Sequence, residues 1–143
     1  MKHQGSCHCG AIQISLTILS SPEEIPVRAC GCSFCRSHGA RNVTDQSGLA
    51  EIHLSRPDNV SYYRFGLETA DFLICRRCGV YVAAVAETAS GLRATVNINA
   101  LDDRNMFVQE TVFVDYSAET TAERSSRRSR RWTPAVLHQD ALS

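Results

Sequence analysis

The sequence predicts an all-β domain made of small antiparallel sheets, with little helix. Apolar residues recur at every second position in several short runs, which is the period of a half-buried strand. Turn-forming Gly, Pro, Asn and Asp residues separate these runs, for example at residues 56–59 and 101–105. The chain has 143 residues, of which 43% are hydrophobic, so it is long enough to form one domain with its own core.

The first strand is the clearest of these runs. Ile12, Ile14, Leu16 and Ile18 alternate with polar residues, so one face of the strand is expected to be buried. The later runs are shorter and less regular. Strands are expected at residues 51–54, 60–65, 71–74, 80–85, 92–98 and 106–116.

The strand pattern ends after residue 116, which we take as the end of the β domain (residues 1–116). Residues 117–143 are an arginine-rich C-terminal tail, expected to pack on the domain or to be partly disordered. A short helix with a basic face would fit this segment, either as a solvated surface or as a contact for substrate carboxylates or a partner subunit. Five arginines crowd there, namely Arg124, Arg127, Arg128, Arg130 and Arg131.

All seven cysteines fall in three tight clusters, which favours metal binding over disulfides. The count is odd, and cysteines two residues apart rarely meet disulfide geometry. The N-terminus lacks the apolar stretch of a secretory signal, so we expect a reduced, cytoplasmic location. Zinc prefers four soft ligands at about 2.3 Å, and short loops can bring two sulfurs to one ion. The clusters are Cys7 and Cys9, then Cys30, Cys32 and Cys35, then Cys75 and Cys78.

Seven thiols divide naturally into sets of four and three. The central cluster offers three sulfurs within six residues, enough to hold one ion, whereas the two flanking pairs must share an ion. Four thiolates make a closed structural site, and three leave one position open, so the three-ligand site would lose its metal more readily. His38 could complete the second site or shuttle a proton, or it could be a polar loop residue.

The residues around the cysteines resemble the glutathione-dependent formaldehyde-activating family, which includes centromere protein V. The similarity is carried by residues 5–11, 30–36 and 72–79, and by Asn-Ile-Asn-Ala-Leu-Asp-Asp at residues 97–103. The resemblance implies an all-β fold of the β-tent type. It also implies two zinc ions, a structural one on Cys7, Cys9, Cys75 and Cys78 and a catalytic one on Cys30, Cys32 and Cys35.

The activity that this resemblance implies is that of a carbon–sulfur lyase similar to S-hydroxymethylglutathione synthase. Its partners would be a small-molecule thiol, with glutathione as co-substrate, and a small aldehyde such as formaldehyde. The alternative is a non-catalytic zinc module that binds a macromolecular partner through its basic tail; thiol redox sensing is a weaker possibility.

The formal net charge is zero, which gives no general electrostatic reason to expect nucleic acid binding. No apolar stretch approaches the roughly 20 residues that span a bilayer, so no membrane partner is expected either. A homodimer is compatible with the sequence.

Overall fold

The structure, a computed structural model, describes residues 1–140. Within them the chain forms eleven strands, two α-helices and three short 3₁₀ turns. The strands are β1 (Lys2–Ser6), β2 (Ile12–Thr17), β3 (Val27–Cys30), β4 (Asn42–Val43), β5 (Leu49–Leu54), β6 (Val60–Tyr63), β7 (Asp71–Cys75), β8 (Tyr81–Thr88), β9 (Gly91–Asn97), β10 (Thr111–Val114) and β11 (Thr133–Gln139). The helices are α1 (Ser33–His38) and α2 (Thr121–Arg131).

The strands join into one open sheet system. One path runs in the order β1-β2-β5-β11-β9-β4-β3-β10, and β8, β7 and β6 continue from the other side of β9. Neighbouring strands are antiparallel except in two pairs, where β10 runs parallel to β3 and β11 runs parallel to β5. The predicted all-β class is therefore confirmed.

Strand β8 separates two apolar cores. Its first six residues are all buried, because both of its faces are covered. Val82, Ala83 and Val85 belong to the larger core, which also contains the apolar side chains of β2. Ala84 and Tyr81 belong to a smaller core beside Cys35 and Trp132. Cys30 and Cys32 pack against this small core, so it positions all three cysteines of the central cluster.

Each run of alternating residues contains a strand, but the last one was predicted too long. Residues 106–116 were expected to form one strand, and only Thr111–Val114 does so. Arg104–Met106 forms a 3₁₀ turn instead, and Phe107 after it is buried in the larger core. The demand for burying Phe107 therefore overrides the local alternation in this segment.

The segment after residue 116 forms α2 and β11. Thr120 begins α2 with a reciprocal cap: the Glu123 amide donates to the Thr120 hydroxyl oxygen at 3.1 Å, and the Thr120 amide donates to the Glu123 carboxylate at 3.0 Å. The helix ends at Arg131, and the next residue, Trp132, caps it and is buried. Strand β11 then lies between β5 and β9 in the sheet. The last residues of the predicted tail, 141–143, lie outside the described part of the chain.

None of the helices in residues 1–140 is both long enough and apolar enough to cross a membrane.

Candidate metal centres and cleft

Two hairpin ends bring together Cys7, Cys9, Cys75 and Cys78, which we call the four-cysteine site. The first pair lies between β1 and β2; in the second pair Cys75 ends β7 and Cys78 lies in the turn before β8. All four sulfurs lie within 4.8 Å of one another. The Cys9 and Cys75 sulfurs are 3.4 Å apart, and those of Cys7 and Cys9 are 3.8 Å apart. Tetrahedral zinc with bonds of about 2.3 Å places its sulfurs about 3.8 Å apart, so the donor set fits one zinc ion.

Backbone amides of the two hairpins point at these sulfurs. The Ile12 amide donates to the Cys7 sulfur at 3.3 Å, and the Cys78 amide donates to the Cys75 sulfur at 3.4 Å. Gly79, with φ of 80°, makes the tight turn between β7 and β8 in a conformation that other residues rarely adopt. Amide donors stabilise thiolates, so the turns are suited to holding deprotonated cysteines.

The thiols of the four-cysteine site differ in acidity. Burial raises the pKa of Cys7 to about 12. Burial also opposes ionisation of Cys78, but hydrogen bonds from the Val80 and Cys9 backbone outweigh it and lower the pKa of Cys78 to about 6. Metal binding requires deprotonated sulfurs, so binding here would release protons and couple to pH.

The second group, which we call the cysteine triad, consists of Cys30, Cys32 and Cys35. Cys30 ends β3, Cys32 caps α1, and Cys35 lies in the first turn of α1, where its amide donates to the Cys32 sulfur at 3.3 Å. The three sulfurs also lie within 4.8 Å of one another, and no other Cys, His, Asp or Glu of residues 1–140 joins them. Three sulfurs on one side fit a zinc ion with one position left open.

The triad favours one ionised sulfur. A hydrogen bond with Cys35 is the largest cause that lowers the pKa of Cys30 to about 5, and the charge of Arg127 lowers it further. The same bond, together with burial, raises the pKa of Cys35 far above its ordinary value. A thiolate at Cys30 is therefore stabilised by its neighbours before any metal arrives.

His38 is not brought to the triad. Its ring packs on Phe34, with centroids 4.4 Å apart, and its Nδ1 lies 3.2 Å from the Phe34 carbonyl oxygen. Of the two roles considered for this residue, the structure supports a polar residue on the surface of α1.

The triad lies in a cleft of about 630 Å³, a size typical of small-molecule sites. Aromatic side chains and arginines both line this cleft. The aromatic residues are Phe65, Phe72, Tyr81, Phe113 and Trp132, and the arginines are Arg28, Arg124, Arg127, Arg128 and Arg131.

The sequence alone did not indicate Tyr81 as a cleft residue. It is fully buried, and its hydroxyl donates to the Asn42 side-chain oxygen at 3.4 Å. Burial raises its pKa well above the ordinary value, so the hydroxyl stays neutral at physiological pH. Tyr81 lies in an apolar strand run, and no local signal separates it from an ordinary core residue.

Comparisons with known proteins identify the family of this chain. The family model described as glutathione-dependent formaldehyde-activating enzyme matches residues 2–116. This chain belongs to that family. A crystal structure of a Rhodobacter sphaeroides protein, a structural genomics target, is similar with 30% identity and a TM-score of 0.57, covering 78% of this chain and 99% of that one. The matched segment, residues 2–116 of this chain, contains both cysteine groups, whereas α2 and β11 follow it.

Proposed function

We propose that this family member is a zinc-dependent carbon–sulfur lyase. It forms and cleaves adducts between a thiol, with glutathione as the first candidate, and a small aldehyde such as formaldehyde. The observation that supports this proposal is the cysteine triad in the floor of an accessible cleft, separate from the four-cysteine site. A protein that needs zinc only for stability gains little from a second site with one ligand missing.

We assign the four-cysteine site to a structural zinc and the triad to a catalytic zinc. Bound at the triad, zinc would supply a soft, open position for a sulfur ligand, while the charge of three thiolates would make it a weak Lewis acid for carbonyl groups. All seven cysteines are unpaired, which is compatible with the reducing cytoplasm in which we place this activity.

The chain's own residues would mainly position the reactants. In the forward reaction the thiol sulfur forms a bond to the aldehyde carbon, and the thiol proton passes to the aldehyde oxygen. Thiol addition to formaldehyde is intrinsically easy, so holding the two reactants together could supply much of the acceleration. The neutral Tyr81 hydroxyl could donate to the oxygen as its charge develops only by giving up its hydrogen bond to Asn42, and it cannot act as a base at neutral pH.

The test combines metal content with turnover. Protein purified without chelator should contain two zinc ions per chain, and Cys32→Ser should contain one, stay folded, and lose glutathione-dependent exchange of ¹³C-formaldehyde measured by NMR. Ser33→Ala is a matched control, because Ser33 is exposed and directly follows Cys32 in the chain. Loss of the fold in Cys32→Ser would count against a purely catalytic role for the triad.

The alternative is a zinc module that binds a macromolecule without catalysis. The exposed apolar side chains of Val112 and Phe113 on β10 favour it to a limited extent. It predicts one zinc ion in both the original protein and Cys32→Ser, no exchange activity, and a partner whose retention is sensitive to salt.

A further inference from the structure

Helix α2 turns arginines, rather than apolar residues, toward the body of the protein. Arg124, Arg127, Arg128 and Arg131, which we call the arginine face, recur at the spacing of one helix face and all line the cleft. Between them, Ser125, Ser126 and Arg130 are exposed to solvent. A helix that packs on a sheet usually buries apolar side chains, so a face of arginines toward the cleft indicates a polar role for that face.

The acidic groups of the protein do not balance these charges. Glu119 pairs with Arg127 through two hydrogen bonds of 2.9 and 3.1 Å, and it lies 3.6 Å from Arg124. Within residues 1–140, Arg128, Arg131 and Arg28 have no carboxylate oxygen within 4.0 Å.

Asp115 also lines the cleft, and its carboxylate accepts a hydrogen bond from the Ser117 amide. The cleft is therefore lined by five arginines and one carboxylate, that of Asp115. Glu119, which pairs with Arg127, adds one more negative charge, so positive charge remains in excess.

Arg128 is the most informative of these arginines, because its side chain is charged and yet only 8% exposed. Its Nη1 donates to the hydroxyl and the carbonyl of Thr69, and its guanidinium lies 4.7 Å from the centre of the Trp132 ring. Its Nε atom is buried and has no hydrogen-bond partner in the described chain. A buried charge without a counter-charge is costly, so its presence in the cleft wall indicates that an anion completes the site.

We propose that the arginine face is an anion subsite, and that the thiol substrate therefore carries an acidic group, carboxylate or phosphate, on the part remote from its sulfur. The placement of the sulfur at the triad rests on the proposed function; the anion subsite itself does not. Within the arginine face, Arg128 and Arg131 have no carboxylate partner among residues 1–140 and are available for the ligand. Guanidinium groups bind carboxylate and phosphate oxygens in the same paired geometry.

The subsite belongs to a part of the chain beyond the segment that the family model matches. Selectivity for the remote end of the thiol would therefore be set by α2, while the sulfur chemistry would be set by the matched segment.

The first test is binding of unreactive probes, measured by titration calorimetry. The carboxylate probe is N-acetyl-S-methylglutathione, compared with its neutral diethyl ester. The phosphate probe is S-methyl-4′-phosphopantetheine, compared with S-methylpantetheine. Charged probes should bind at least about tenfold more tightly than their neutral partners, and their affinity should fall with salt. Binding of one charged probe alone would identify carboxylate or phosphate as the recognised group. Equal binding of charged and neutral probes, or binding of none, would overturn the proposal.

The second test uses variants on the same helix. Arg131→Gln and Arg128→Gln should each weaken the preferred charged probe by about tenfold and leave the neutral probe unchanged. Arg130→Gln is the matched control, since Arg130 is exposed and outside the cleft lining, and it should change binding by less than about twofold.

If Arg128→Gln fails to fold, the exposed Arg131 still decides the outcome. Unchanged affinity in Arg131→Gln would then contradict the proposal. Because the probes do not react, an inactive protein that still binds them would contradict the lyase proposal alone.

Discussion

The four-cysteine site should stabilise the fold more than the triad does, because it joins segments that are distant in sequence. The informative change is Cys9→Ser/Cys78→Ser, which removes one ligand from each hairpin and leaves the buried Cys7 and Cys75 in place. The matched comparison is Cys30→Ser/Cys32→Ser, which leaves the buried Cys35. Both variants remove two sulfurs that are not fully buried, so their effects on core packing should be similar.

The expected difference in unfolding free energy between these two variants follows from chain entropy. Cys9 and Cys75 are 66 residues apart and their sulfurs lie 3.4 Å from each other, whereas the triad spans residues 30–35. The cost of closing a loop grows as (3/2)RT ln n, so a link across the longer loop is worth about 2 kcal/mol more than a link across the shorter one. Domains of this size are stable by only about 5–15 kcal/mol, so a difference of this size is measurable.

Urea unfolding of zinc-loaded protein is the assay, followed by the fluorescence of the single tryptophan, Trp132, and by circular dichroism. The Cys9→Ser/Cys78→Ser variant should lose about 2 kcal/mol more unfolding free energy than the triad variant, or roughly 6 °C more in melting temperature. Equal losses, or a larger loss in the triad variant, would refute the view that the four-cysteine site closes the long loop.

Three further predictions concern the cleft and its surroundings. Mild chelation should remove one zinc ion first and abolish aldehyde exchange while circular dichroism stays unchanged; simultaneous loss of both ions would contradict the assignment of an open second site. Tyr81→Phe should reduce turnover by at least about tenfold if its hydroxyl bonds the developing oxygen charge, and unchanged turnover would remove that role. A hydrogen bond from Arg127 lowers the pKa of Glu119, so its contribution to stability is present above the ordinary glutamate pKa and is lost as pH falls through the lowered one. Glu119→Gln should therefore show a weaker fall in melting temperature under acid than the original protein, and identical acid profiles would contradict this.

The strands that the sequence revealed are those whose own residues alternate. Strand β2 is an example, since its buried positions are Ile12, Ile14 and Leu16. Strand β1 was missed because its one fully buried side chain is His3, which bonds Asp103 at 2.5 Å and packs its ring on Phe107. Those partners are about 100 residues away, and no local pattern shows that a histidine will be buried by them.

The cysteine groups could be predicted, but the cleft around them could not. Counting the seven thiols was enough to predict that the Cys7/Cys9 pair and the Cys75/Cys78 pair share an ion, and in the structure these four sulfurs lie within 4.8 Å of one another. The run of arginines could also be recognised in the sequence. The sequence did not show which way these side chains point, because a basic helix face can point to water or into a polar cleft. Only the packing of α2 against β8 and β9 decides this.

The two cysteine groups are connected through β8, and a change at the four-cysteine site should affect the triad more than a change at the triad affects the four-cysteine site. The Cys75–Cys78 turn leads into β8, so Tyr81 lies three residues after a ligand of the four-cysteine site. Tyr81 and Ala84 pack in the small core with Cys35. Loosening that turn would therefore disturb the cleft wall, whereas emptying the triad would leave the turn and the larger core in place. We expect damage to the four-cysteine site to lower both stability and activity, and damage to the triad to lower activity with a smaller loss of stability.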